Sequence, residues 1–165
     1  MPVSKSRLLS AIAVAAAVAS PALAQSSAAE RNLVYMGKSS TMVVMVSDLP
    51  ATPATGQHTI WVWHFGGADH ARSNATGPFG RAVRMTIDCA DRTTINRASE
   101  QFNGTTFVNR TPLTEVAAWS AHTEGTLGVL PVKAVCDPAP ATPRPTYPDL
   151  AAARAYADLR LKPAP

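Results

Sequence analysis

The sequence is short of charge, aromatics and cysteine. Charged residues make up 16% and aromatic residues 6% of its 165 positions, and there are two cysteines. Lysines and arginines are scattered singly, so the basic stripe that marks a nucleic-acid or anionic-lipid binder is missing. There is no C-x-x-C pair and no G-x-S-x-G elbow, which removes the familiar thiol-redox, zinc-ribbon and hydrolase signatures. After the first 24 residues no stretch is long and apolar enough to span a bilayer. No catalytic or cofactor motif stands above background, so no cofactor is expected and a non-enzymatic role is.

What is present starts with an export signal. Lys5 and Arg7 form a basic n-region, and Leu8 to Ala19 is apolar apart from Ser10. Ser20-Pro21-Ala22-Leu23-Ala24 ends in a small-x-small cleavage pattern, so residues 1–24 are expected to be removed. The run is short and mostly alanine, which disfavours a membrane anchor. No cysteine lies near the cut to carry a lipid. The mature chain is expected outside the cytoplasm, in the periplasm or secreted. Without Lys5 and Arg7 the 15 basic residues fall by two against 11 acidic, and the net charge drops from +4 to +2. In that compartment Cys89 and Cys136 are most simply a disulfide. A closed loop of roughly 45 residues corresponds to about 4 kcal/mol in the chain-entropy account. A reactive thiol, a metal-ligand pair or an intermolecular bond are the alternatives.

The chain is organised around Arg81–Asp91. Val83, Met85, Ile87 and Cys89 alternate with Ala82, Arg84, Thr86 and Asp88, the period-2 pattern of a strand with one dry face. Residues 25–30 are small and polar and are expected to fray. Leu33–Met36 reads as a short strand. Thr41–Ser47 is nearly all β-branched or methionine, which predicts a central strand covered on both faces. His58–Phe65 places Trp61, Trp63 and Phe65 on one face and Ile60, Val62 and His64 on the other. Gly66–Gly80 is a loop. A turn at Ala90-Asp91-Arg92 leads to Thr93–Phe102, a solvated or edge strand. Asn103-Gly104 signals a type I′ hairpin, and Thr105–Arg110 returns from it. Trp119 is expected as a packed anchor.

Thr126 can cap a helix over Leu127–Cys136. Pro131 either sits early in a shorter helix or bends a longer one. Val129, Val132 and Cys136 share a stripe that would lie on the Val83–Cys89 face. The domain thus spans 31–137. A proline-rich linker follows at 138–148, then an Ala-rich helix and tail at 149–165, capped by Asp149. Leu150, Ala153, Ala157 and Leu161 form its apolar stripe. Such a helix is marginal alone and can dock, bind a partner or stay partly formed. The fold class expected is α+β, mainly β: one antiparallel sheet of about six strands, with a helix disulfide-linked to one face.

Asp88-Cys89-Ala90-Asp91-Arg92-Thr93 between two strands, the Asn103-Gly104 hairpin, Trp119, and a helix ending Lys133-Ala134-Val135-Cys136 resemble the surface-adhesin E domain family. That family comprises small exported bacterial proteins with one antiparallel sheet and a disulfide-tied C-terminal helix. The resemblance covers roughly 31–136. It implies pairing of Cys89 with Cys136, no catalytic residue, and binding of an extracellular-matrix or cell-envelope protein. The chain departs from the family's surface-display role in lacking a lipid-attachment cysteine.

Four residues are candidate ligand contacts: Trp61, Trp63, His64 and His70. His64 and His70 with Asp69 have metal-ligand chemistry, but H-x₅-H across a Gly-Gly turn matches no standard spacing, and no metal is expected. Asp88 and Asp91 could act as an acid–base pair. Their plainer roles are a wet-face carboxylate and a turn-forming one. Trp61, Trp63 and Phe65 could stack sugars, yet one-face aromatics usually pack inward under a helix. The function expected is an exported binding or structural module. The alternative is a small periplasmic hydrolase or metal-binding protein using the Trp61–Arg72 region.

Overall fold

Alternation and β-branching set the strands, and eight form among the described residues. The computed structural model describes residues 31–67, 79–112 and 118–161. The long strands are β1 (Leu33–Lys38), β2 (Met42–Ser47), β3 (Gln57–Gly66), β4 (Phe79–Asp88), β5 (Thr93–Asn103) and β6 (Thr106–Pro112). The two-residue strands β7 (Ser120–Ala121) and β8 (Thr146–Tyr147) add to them, with helices α1 (Val129–Cys136) and α2 (Leu150–Leu161). One antiparallel sheet runs in the order β6-β5-β4-β3-β2-β1-β8, and β7 pairs with β5. The six long strands are the six the sequence predicts, and neighbours in sequence are neighbours in the sheet. The expected signal segment, the other residues before Arg31, and Asp69 and His70 lie outside the described residues.

Both faces of the sheet are dry. On β2, Val43 to Val46 are all buried, as a run without polar interruption requires. Their odd members, with Leu33, Trp61, Trp63, Phe65, Ala82 and Phe102, pack against Leu150, Ala153 and Ala157 of α2. Their even members, with Ile60, Val62, Met85 and Ile87, pack against Val132 and Val135 of α1. This corrects two expectations. The face of β4 read as wet holds buried Ala82, which packs with α2, and buried Thr86, whose hydroxyl meets that of Thr59 at 2.9 Å. The aromatic trio is core, as its spacing suggests, but it lies under α2 and not under α1. A pattern within one strand cannot show what arrives on its other face.

Helix α1 is shorter than the segment expected. Pro131 is its third residue, in the first turn where its missing N–H costs nothing. Gly128 occupies the N-cap position without a side-chain cap. Thr126 does not cap, because its hydroxyl donates to the Thr123 carbonyl at 2.7 Å and closes a turn. The disulfide forms between Cys89, just past β4, and Cys136, the last residue of α1, with Cα atoms 5.4 Å apart.

Four further details differ from the sequence reading. β5 is flanked by β4 and β6, so it is interior, and the free edge belongs to β6. In the hairpin Asn103 pairs with Thr106, so Gly104 and Thr105 make the loop. Of these only Gly104 has positive φ, at 58°, whereas type I′ needs two such residues. The turn after β4 is held by Asp88, whose carboxylate accepts the Ala90 N–H at 3.0 Å. Trp119 is 41% exposed rather than packed as an anchor.

Helix α2 docks fully. The Asp149 carboxylate accepts the Ala152 N–H at 2.8 Å, the N-cap its sequence predicts. Ala153 and Ala157 are wholly buried, and their small side chains bring the helix close to the aromatics. Arg154 is buried beside them. It donates to the Gly66 carbonyl at 2.9 Å, pairs with Asp158, and lies over the Phe65 ring at 5.6 Å. Tyr156 packs between Tyr35 and Tyr147, with centroids 5.4 and 4.7 Å away. Gly80 is required on this face, because a Cβ there would sit 2.0 Å from the Phe102 ring.

Candidate functional site

Two proline-bearing segments, far apart in sequence, meet at the C-terminal end of α1. The first is the β2–β3 loop from Leu49 to Pro53. The second is the chain from Pro138 to Arg144. Between them, floored by Val34 of β1 and Ala134 of α1, lies a cavity of about 350 Å³. That is near the lower end of the roughly 300–1,000 Å³ usual for ligand sites. A second, more polar hollow of about 440 Å³ adjoins it at Val34 and Leu49 and reaches Arg31, Ser47 and Asp48.

The walls are fixed at several points. The Ala54 N–H donates to the Val135 carbonyl at 2.9 Å, which ties the first loop to α1. The second wall leaves α1 directly after the disulfide. It rejoins the sheet where the Tyr35 N–H donates to Pro145 O at 2.9 Å and β8 pairs with β1. The segment read as a linker is therefore a strap pinned at both ends. Its prolines restrict φ and remove donors, so the strap presents ring faces and carbonyl oxygens.

Three charged residues line the cavity: Lys133, Asp137 and Arg144. Asp137 accepts a two-pronged contact from Arg92, at 2.7 and 3.3 Å. That hydrogen bonding holds the Asp137 carboxyl below its usual pKa and raises that of Arg92. Asp137 therefore stays ionised and is a poor proton donor. Lys133 donates to Glu124 at 2.7 Å. Arg144 donates from one guanidinium nitrogen to the Met36 sulfur at 3.1 Å, a weak acceptor.

The sequence-predicted contacts lie elsewhere. Trp63 is wholly buried and Trp61 nearly so. Trp63 donates its indole N–H to Ser47 at 3.1 Å, and Arg31 lies over Trp61 at 5.8 Å. His64 lies on the opposite face of β3. Its Nδ1 is buried without a hydrogen-bond partner. Burial, then the neighbouring Arg81 charge, lowers its pKa from 6.5 to about 4, so the ring is neutral at pH 7. The structure does not bring His64 together with the two tryptophans, and His70 lies outside the described residues. Among the described residues no group of three His, Cys, Asp or Glu side chains could hold a metal. The groove residues escape a sequence reading because both walls read as connections. The only signal is composition: two proline-rich stretches, one on either side of the cysteine-bearing core.

No helix among the described residues is long and apolar enough to cross a membrane. The chain matches no family model, no curated protein and no solved structure.

Proposed function

We propose that the protein is an exported, non-enzymatic binding module of the cell envelope, and that the strap groove is its binding face. The observation that carries this is the groove's construction. Its walls are proline segments fixed by a disulfide-tied helix and by strand pairing, and it is lined mainly by apolar groups. Such preorganisation lowers the ordering cost of binding. The disulfide fits an oxidising compartment, the periplasm or the exterior. The resemblance to surface-adhesin E domains belongs to the same reading and supplies the class of partner, an envelope or matrix protein. The rival hydrolase or metal site in the Trp61–Arg72 region would need groups that a ligand can reach, and Trp61 and Trp63 are packed beneath α2.

Site-specific photo-crosslinking in intact producing cells tests the reading. A photoreactive residue at exposed Ala139, in the strap, is expected to give a discrete protein adduct. The same residue at Leu159, which is 67% exposed on α2, is expected to give none. Equal labelling at both positions, or none at Ala139, would contradict it. Protease shaving of the same cells separates surface display from the periplasm.

A further inference from the structure

We infer that the groove takes an extended, acidic peptide segment of a partner protein, with a carboxylate seated on Arg144. This deepens the proposed function and rests on the groove being the binding face. The argument is charge complementarity. Of the three charges in the lining, two are already answered by residues beside the groove: Asp137 by Arg92 and Lys133 by Glu124. Arg144 has no carboxylate partner among the described residues, and its contact with the Met36 thioether leaves most of its five donors uncommitted. A partly buried arginine that lines a mainly apolar cavity binds a carboxylate in a two-pronged geometry and a neutral amide far less well.

The shape selects an extended chain. Pro50 and Pro53 face Pro138, Pro140 and Pro143 across the cavity. Walls with so few N–H groups cannot continue a sheet into a ligand, so strand addition is disfavoured there. What they offer is apolar ring surface for small side chains and carbonyls for backbone N–H groups. Alanine and proline flanking one glutamate fit that description.

The experiment is isothermal titration calorimetry on the exported, disulfide-bonded full chain. The probe is a capped, amidated hexapeptide of alanine and proline with one central glutamate, compared with the same peptide carrying glutamine. The glutamate peptide is expected to bind, and the glutamine peptide to bind at least about tenfold more weakly, the scale of a charge-assisted pair. Arg144→Gln is expected to cost the same factor and to abolish the difference between the two peptides, with far-UV circular dichroism unchanged. Ala134→Trp, which fills the cavity, is expected to abolish binding of both. If Ala134→Trp abolishes binding while the two peptides bind alike and Arg144→Gln changes nothing, the ionic claim is overturned and the groove remains a binding face. Binding that survives Ala134→Trp, or no binding by either peptide at millimolar concentration, overturns the inference outright.

Discussion

The two faces of the sheet are covered by helices that solve one problem in unlike ways. Helix α1 is eight residues long, lacks a side-chain cap and carries a proline in its first turn. So short a helix is not stable by itself. It is held by the Cys89–Cys136 bond, the Arg92–Asp137 pair and the Ala54–Val135 hydrogen bond. Helix α2 is twelve residues long, properly capped by Asp149, and has no covalent tie. It is held by close packing of alanines on aromatics, by the tyrosine cluster and by buried Arg154. Covalent attachment frees the α1 face from the need for a long helix. The space beyond its short end is where the strap and the groove are built. On the α2 face, the small side chains of Ala153 and Ala157 pack closely on the aromatic layer.

Breaking the covalent side should have the largest effect. Replacing both cysteines with alanine is expected to lower unfolding free energy by about 4 kcal/mol for a bond spanning 47 residues. A urea titration reads this, and an unchanged midpoint would show that α1 is held by packing alone.

Acidification should come next, and it acts through the α1 face of β3. The His64 pKa is depressed in the fold, from 6.5 to about 4. Between those values the unfolded chain binds a proton that the fold refuses, so stability rises with pH across this window and is lost as pH falls through it. The full shift corresponds to at most about 3 kcal/mol. His64→Gln is expected to flatten the profile between pH 6.5 and 4, whatever it does to stability at pH 7. An identical slope in both proteins would contradict a buried neutral imidazole.

On the packed side, Ala157→Leu is expected to cost about 1–3 kcal/mol by overpacking against the aromatic layer. No loss would mean that α2 is loosely seated. The smallest effect is the cap. Asp149→Ala should cost about 1 kcal/mol, visible as a small drop in thermal midpoint.

Much of the α1 face is legible in the sequence, and little of the α2 face is. Val83, Met85 and Ile87 announce a strand, Val129 and Val132 a helix, and two cysteines in a chain that reads as exported announce the tie between them. The apolar stripe of α2 is equally plain, from Leu150 to Ala157. What the stripe cannot say is where it docks, because alanines pack on any smooth apolar surface. The wet face expected on β4 follows from Arg84 and Asp88, which do point outward at least in part. Ala82 on the same face is buried with Trp63 and Phe102 under α2, and Thr86 is buried opposite Thr59 of β3. The groove is the least legible feature. Leu49–Pro53 and Pro138–Arg144 each read as connections, and only the sheet order, which sets β2 beside β1 and β8 on its edge, brings them together. Arg144 has no motif around it. Its meaning comes from the partners its neighbours have and it lacks.

Hydrogen–deuterium exchange before and after reduction tests most directly the claim that the disulfide-held face builds the groove. On reduction, amides of 49–56 and 129–146 are expected to exchange faster together, while those of 150–161 keep their protection. Equal loosening of α2, or an unchanged groove, would contradict the account.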